Sequence, residues 1–145
     1  MIFRAIPHGS AGYEAECALR HAVLRAPLGL DLYSENLAAE RDQLHFGLFD
    51  DTNLLAACVI AVPGPPPDAR IRQMAVRPDR QGQGLGRALM TALEADLRAR
   101  GFRRFLLHAR LSAAGFYESL GYSRTGAEFT EVGIPHVMME KSMEE

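Results

Sequence analysis

Residues 71–86, IRQMAVRPDRQGQGLG, decide the fold of this chain and suggest its chemistry. They predict a short apolar strand over 71–76, a turn opened by Arg77 and Pro78, a glycine-rich loop and a helix beginning near Gly84. Three glycines, at 82, 84 and 86, leave no Cβ between the backbone and a ligand, so N–H groups can converge on an anion. The helix N-terminus adds roughly half a positive charge, and the loop is therefore predicted to bind phosphate.

Two common phosphate-binding motifs do not fit this loop. A P-loop needs Lys and Ser or Thr after its last glycine, but Arg87 and Ala88 follow Gly86. The dinucleotide motif GxGxxG needs a glycine where Arg87 lies. What remains is the pattern Gln81-x-x-Gly84-x-Gly86.

This pattern resembles the acyl-CoA loop of the GNAT superfamily of acyl-CoA-dependent N-acetyltransferases. In that family Arg/Gln-x-x-Gly-x-Gly/Ala follows a strand and a V-x-P turn, which residues 75–78 (AVRP) and 80–86 (RQGQGLG) match without a gap. A second segment, residues 113–122 (AAGFYESLGY), is similar to the family's A-x-x-x-Y-E-x-L-G-F/Y segment. The two motifs cover about the second half of the chain.

The resemblance implies an α/β, GNAT-like fold, in which helices flank a central mixed β-sheet and a splayed parallel strand pair forms the acyl-CoA cleft. A chain of 145 residues predicts one domain over residues 1–145. Hydrophobic patterning predicts strands at 2–6, 44–49, 54–62, 71–76, 105–109, 123–129 and 137–141, and helices at 13–24, from 84 and at 113–120, with 30–41 ambiguous but closer to helix. The crossover from residue 76 to residue 105 predicts a parallel pair. In the helix between them, Glu94 and Arg98 are predicted to pair on the polar face.

Composition and charge limit the classes of partner. A net charge of -2 gives no reason to expect binding to nucleic acid or a membrane, and Cys17 and Cys58 form no metal-binding motif. No apolar run is long enough to span a bilayer, so the default expectation is a cytoplasmic protein. Five arginines are predicted to crowd around the glycine loop, favouring a multiply phosphorylated ligand such as CoA: Arg70, Arg72, Arg77, Arg80 and Arg87.

The resemblance also implies which residues bind the co-substrate, acetyl-CoA. They are Met74, Ala75, Val76, Gln81, Gly82, Gln83, Gly84, Leu85, Gly86, Arg87 and Arg110, the last standing where many members carry Asn. The pantetheine arm is expected between the two parallel strands, where the backbone of Met74 and Val76 would pair with it and polarise the thioester carbonyl. No metal is expected.

The resemblance makes Tyr117 the general acid toward the CoA sulfur. The general base is open: His108 and His136 are the candidates, and a water relay or an amine that arrives neutral would serve equally well. The region between the first two strands walls the acceptor pocket in the family, so His21, Tyr33 and Glu35 are candidate lining residues.

These inferences lead to an N-acetyltransferase that moves acetyl from acetyl-CoA directly to a primary amine of a small molecule or peptide. A second hypothesis is a non-catalytic acyl-CoA-binding or regulatory module, which would keep the glycine loop and need neither Tyr117 nor a base. A nucleotide-phosphate enzyme of another family ranks third. Dimers are common among GNAT members, so a homodimer is compatible with the resemblance.

Overall fold

A computed structural model describes residues 1–143 and shows a seven-stranded mixed sheet in the order β1-β2-β3-β4-β5-β7-β6. The β4–β5 pair is parallel and the other neighbouring pairs are antiparallel. The strands are β1 (Ile2–Ala5), β2 (Leu44–Phe49), β3 (Leu55–Pro63), β4 (Asp68–Val76), β5 (Arg104–Arg110), β6 (Ser123–Glu131) and β7 (Ile134–Ser142). The predicted fold class and the predicted parallel pair are confirmed.

The three α-helices are α1 (Ala11–Arg20), α2 (Leu85–Ala99) and α3 (Ala114–Ser119). A π-helical turn, His21–Arg25, continues α1, so the predicted helix at 13–24 changes its hydrogen bonding near its end. Residues 30–41 are not one helix: two 3₁₀ segments, Leu32–Ser34 and Leu37–Asp42, replace it. Further 3₁₀ turns are Ala26–Leu28, Pro78–Arg80 and Leu111–Ala113. None of the helices within residues 1–143 is long and apolar enough to cross a bilayer.

The sheet carries a helical layer on each face. The apolar stripe of α2 joins the main core with β2, β3, β4 and β5, while α1 packs over β3 and β4 in a second cluster that includes Tyr13, Cys58 and Ala75. The prediction that Glu94 lies on the polar face of α2 is wrong. Glu94 is buried, and it accepts hydrogen bonds from Tyr122 Oη at 2.7 Å and Lys141 Nζ at 2.8 Å.

The parallel pair separates part-way along its length. Residues 68–71 of β4 pair with residues 104–107 of β5, but pairing ends at Ile71 and Leu107 while β4 continues to Val76 and β5 to Arg110. A bulge in β4 coincides with this point, because Gln73 and Met74 have no partner in the register with β3. Gln73 adopts a φ of 54°, which is rare for a residue other than glycine. The bulge therefore turns β4 away from β5 and opens a cleft.

A buried ionic network holds the bulge. Arg20, at the end of α1, donates from Nε to Gln73 Oε1 at 2.7 Å. The same guanidinium bonds Glu16 Oε2 at 2.9 Å and Glu40 Oε2 at 2.6 Å, and Glu16 also contacts His45 Nδ1 at 2.8 Å. Burial lowers the pKa of Arg20, but the bond to Glu40 and the charges of both carboxylates outweigh it and raise the pKa overall, so Arg20 stays charged.

The same network contains three side chains of the types that can act as metal ligands. Ligand atoms of Glu16, Glu40 and His45 lie within 4.8 Å of one another. Arg20 already bonds both carboxylates, so a metal ion here would have to displace a guanidinium that is fully buried. The cluster is therefore explained as an anchor of the bulge.

Replacing Arg20 by Met is expected to lower the free energy of unfolding by about 3–5 kcal/mol, because two buried carboxylates lose their counter-charge. Urea denaturation measures this change. The control is Arg100→Met, which removes the more exposed pair with Asp96 and should cost less than about 1 kcal/mol. Equal effects of the two substitutions would contradict the role assigned to the network.

Candidate active site

The cleft opens into a cavity of about 400 Å³. It lies where β4, β5 and β7 meet the segment that follows α1. Its walls are formed by Leu24, Arg25, Arg70, Ile71, Arg72, Gln73, Met74, His108, Ala109, Arg110, Ala113, Tyr117, Glu131, Val132 and His136. The cavity thus brings together Tyr117, both candidate bases, Met74 and Arg110 from four different elements.

Strand alternation explains why polar residues line this cavity. Successive side chains of β5 point to opposite faces of the sheet, so Phe105, Leu107 and Ala109 enter the main core. His108 and Arg110 therefore lie on the other face. On that face α1 packs over β3 and β4, and the cavity lies beside it over β5.

Glu131 connects the two histidines, a role that is not evident from the sequence alone. Its Oε1 lies 2.9 Å from His108 Nδ1, and its Oε2 lies 3.7 Å from His136 Nε2. The β6–β7 hairpin creates this contact, since Glu131 pairs with Ile134 and His136 lies opposite Arg110 of β5. The only sequence signal was the position of Glu131 five residues before His136 across a predicted turn.

The two histidines differ in what their ring nitrogens contact. The carboxylate at His108 Nδ1 requires that nitrogen to carry the proton in the neutral ring, which leaves Nε2 as the accepting atom. His136 is buried, its Nδ1 donates to the carbonyl of Ile134 at 2.9 Å, and its Nε2 faces Glu131. His108 is therefore better arranged to accept a proton from a ligand.

The charge of Glu131 is maintained by its neighbours. Burial raises its pKa, but the hydrogen bond from His108 and the charges of His108, His136 and Arg70 outweigh burial, so the pKa is lowered overall. Glu131 is thus a carboxylate at neutral pH. It can orient His108 but is itself a weak proton acceptor.

Tyr117 lies in α3 with its ring buried between Phe116 and Tyr122. Burial raises its pKa to about 12, so the phenol stays protonated across the neutral range. Within residues 1–143 its hydroxyl has no hydrogen-bond partner, and the residue lines the cavity. The hydroxyl is therefore available as a donor to a ligand.

The glycine loop lies at the surface beyond the end of β4. Gly82 and Gly84 have φ values of 81° and 77°, and a Cβ at either position would meet no atom within 4 Å. Gly84 caps α2 without a side-chain hydrogen bond, so the first N–H groups of the helix remain for a ligand or water. Gln81 donates from Nε2 to the carbonyl of Val76 at 3.2 Å, which ties the loop to the strand.

Other residues of this loop have structural contacts. A Cβ at Gly86 would lie 3.2 Å from Phe116 Cζ, so this glycine serves the packing of α2 against α3. The side chain of Leu85 enters the main core, and Arg87 donates to Ser119 Oγ at 3.0 Å. Gln83 is exposed.

The prediction that five arginines surround the loop is wrong for Arg70 and Arg72, which line the cavity on the other side of the bulge. Arg77 and Arg80 lie near the loop but pair with Asp79 and Asp50, each at 2.9 Å.

The three residues proposed to line the acceptor pocket are absent from the lining that the described residues form. His21 contacts Asp31 at 3.7 Å, and Tyr33 is exposed. Glu35 acts indirectly, since its Oε2 pairs at 2.7 Å with Nε of Arg25, which does line the cavity.

A family model for the acetyltransferase (GNAT) domain matches residues 20–143. The chain belongs to the GNAT acetyltransferase family. It is similar to the uncharacterized protein YyaT of Bacillus subtilis, with 36% identity over 75 residues, which cover 52% of this chain and 51% of YyaT. A second B. subtilis protein, provisionally named an acetyltransferase, is 48% identical over 58 residues, 40% of each chain. The matched segments thus span about half of the first of these curated relatives and 40% of the second.

Solved structures share the fold over the whole chain. A provisionally named N-acetyltransferase of Lactobacillus plantarum is 27% identical, with a TM-score of 0.87 and coverage of 99% of this chain and 100% of the other. An aminoglycoside 6'-N-acetyltransferase complexed with coenzyme A has a TM-score of 0.81 at 16% identity, covering 100% of this chain and 98% of the other. The ribosomal-protein-S18-alanine N-acetyltransferase of Escherichia coli has a TM-score of 0.77 at 24% identity, with coverage of 99% and 96%. At the identities of the last two, the likeness shows the fold alone.

Proposed function

We propose that this protein transfers the acetyl group of acetyl-CoA directly to a primary amine of a small molecule or peptide. The observation that carries this proposal is the cavity at the β4–β5 separation, which holds a carboxylate-bound histidine and a protonated tyrosine. Membership of the GNAT acetyltransferase family supports acyl transfer. The volume of about 400 Å³ suits a small acceptor.

The residues present fit acetyl-CoA. The open space at Gly82 and Gly84 and the uncapped start of α2 suit its pyrophosphate. The part of β4 beyond Ile71 does not pair with β5, so its backbone borders the cleft where a pantetheine arm would lie. Acetyl-CoA supplies an activated thioester. A backbone N–H of Met74 or Val76 would bind its carbonyl oxygen and stabilise the charge that develops there.

His108 is proposed as the general base. Glu131 holds its Nδ1–H, so Nε2 accepts the proton that the amine loses as the new C–N bond forms and the C–S bond breaks. His108 then gives up this proton to solvent and the departing thiolate takes one up, so a neutral amine and the thioester yield an amide and a thiol with no net proton released. An amine supplied as ammonium releases one proton.

Tyr117 is proposed as the donor to the departing sulfur. Its pKa of about 12 lies above the ordinary thiol value of about 8.5, so complete proton transfer to a free thiolate would be uphill. A hydrogen bond from the hydroxyl during C–S cleavage has no such cost. Tyr117 therefore stabilises the departing sulfur rather than delivering a free proton in advance.

The alternative of a non-catalytic acyl-CoA-binding module explains fewer observations. Such a module would use the glycine loop and the cleft. It would need neither a histidine paired with a carboxylate nor, beside it, a phenol that has no hydrogen-bond partner in the described part of the chain. The juxtaposition of His108, Glu131 and Tyr117 around one cavity favours the enzyme.

Acetyl-CoA is expected to raise the melting temperature, because a ligand of the native state adds about 2.7 kcal/mol at a hundredfold excess over Kd. For 145 residues this corresponds to roughly 5–10 °C. Gly84→Val should abolish the shift, while Gly9→Val, which has the same positive φ and the same open space, should keep it. A shift with ATP or NAD and none with millimolar acetyl-CoA would refute the proposal.

Tyr117→Phe removes only the hydroxyl, so acetyl-CoA affinity should change little. Turnover should fall by about 10²- to 10⁴-fold where chemistry limits the rate. The loss should shrink with a thioester whose thiol is more acidic, since a better leaving group needs less stabilisation. Thiol release measures both rates, and unaltered turnover would remove Tyr117 from the mechanism.

His108→Gln should lower turnover near neutral pH by about 10²- to 10⁴-fold, and the deficit should narrow as pH rises because more of the amine arrives neutral. His136→Gln is the matched control and should lose less, since both its ring nitrogens face groups of the protein. Rates of thiol release between about pH 6 and 10 test this. A larger loss in His136→Gln would transfer the role of base to His136.

A further inference from the structure

The described residues that line the cavity include more arginines than carboxylates. Among residues 1–143, arginines at four positions line it against a single lining carboxylate, Glu131, which is already bonded to His108. The four are Arg25, Arg70, Arg72 and Arg110. Because guanidinium groups stay charged in proteins, this excess is a permanent feature of the site.

Arg110 has no acidic partner within residues 1–143. Its Nη2 donates to the carbonyl of Leu24 at 2.9 Å, and Arg25 lies close enough to affect it electrostatically. Burial lowers the pKa of Arg110, and the charge of Arg25 lowers it further. Arg25 has its own partner in Glu35, so the uncompensated charge is that of Arg110.

Arg72 is nearly as poorly compensated. Its hydrogen bond goes to the neutral amide Oε1 of Gln43 at 3.0 Å. The nearest carboxylate is Glu40, 3.9 Å away, which already binds Arg20 at 2.6 Å. Burial lowers the pKa of Arg72, and the charges of Arg20 and Arg70 act in the same direction. The charges of Glu40 and Glu35 oppose this effect, but the pKa is lowered overall.

The phosphates of CoA do not account for the arginines of β4. The glycine loop begins beyond Val76, the last residue of β4, and Arg70 lies six residues earlier in the same strand. At about 3.3 Å per residue this separation is about 20 Å, and for Arg72 it is about 13 Å. Among the residues that the structure describes, both arginines line the cavity, whereas no residue of the glycine loop does, so a pyrophosphate bound at the start of α2 would lie on the other side of the bulge from them.

We infer that the acceptor amine carries an anionic group, a carboxylate or a phosphate, which binds between Arg72 and Arg110 while the amine faces His108. This inference rests on the proposed acetyl transfer. An anion at this position supplies the counter-charge that the protein lacks, and charge-assisted bonds to guanidinium are among the strongest hydrogen bonds in proteins. Polycationic amines are disfavoured because the same arginines repel them.

Matched acceptor pairs test the inference on the full chain with acetyl-CoA and thiol-release detection. β-Alanine paired with β-alaninamide tests for a carboxylate, and O-phosphoethanolamine paired with ethanolamine tests for a phosphate. Spermidine represents a polycationic acceptor. The anionic member should be preferred by roughly 10- to 100-fold in kcat/KM. The amine of β-alaninamide is less basic than that of β-alanine, so a larger fraction of it is neutral and reactive near neutral pH. A preference for β-alanine would therefore oppose the intrinsic reactivity of the two amines.

Arg72→Gln and Arg110→Gln should each reduce that preference about tenfold or more, mainly through KM. Arg124→Gln, which removes an exposed arginine paired with Glu118, is the matched control and should leave it unchanged. Raised ionic strength should increase KM for the anionic acceptor more than for its neutral partner. The melting shift produced by acetyl-CoA should persist in Arg72→Gln, which shows that the variant is folded and still binds the co-substrate.

A preference for the neutral or polycationic acceptors, or one that survives both arginine substitutions, overturns the inference and leaves acetyl transfer standing. Loss of the acetyl-CoA melting shift in both arginine variants would assign these residues to the co-substrate and also overturn it. If acetyl-CoA shifts the wild-type melting temperature but no amine is acetylated, the anionic amines must still raise the melting temperature of the CoA-bound protein more than the neutral ones. Equal shifts there contradict the inference, and no shift with acetyl-CoA itself contradicts the proposed function.

Discussion

The hydrogen bond from Arg20 to Gln73 is the contact on which the site depends. It holds a non-glycine residue at a φ of 54°, a conformation that costs of order 1–3 kcal/mol, at the point where β4 leaves β5. The bond is effective because Glu16 and Glu40 fix the guanidinium from two sides in a fully buried setting. Without the bulge, β4 and β5 would continue to pair beyond Ile71 and Leu107, and the cleft that opens into the cavity would be closed.

The bulge also divides β4 into two chemical regions. Before it, Arg70 and Arg72 extend into the cavity while Ala69 and Ile71 pack in the main core. After it, the strand leads through Arg77 and Pro78 into the glycine loop. One strand thus contributes positively charged side chains to the cavity at one end and leads to the start of α2 at the other. The proposed reacting groups His108 and Tyr117 line the same cavity as the two arginines.

The sequence was informative where short-range spacing determines structure. The strand, loop and helix around residues 71–100 follow from local motifs, so the fold class and the parallel pair could be predicted from them. Contacts between distant segments could not. The sequence pattern of α2 suggests a surface position for Glu94, but Tyr122 and Lys141 bury it. The packing of Gly86 against Phe116 of α3 likewise has no signal in the sequence around the glycine loop. Glu131 acquires its position only when the β6–β7 hairpin is folded beside β5.

The most direct test of the central claim is a crystal structure of the protein with acetyl-CoA. The pantetheine arm should lie between β4 and β5 beyond Ile71 and Leu107, with the pyrophosphate on the N–H groups that follow Gly82 and the acetyl group directed toward the cavity of His108 and Tyr117. Acetyl-CoA bound outside this cleft, or a β4 that pairs with β5 along its whole length in the complex, would contradict the account.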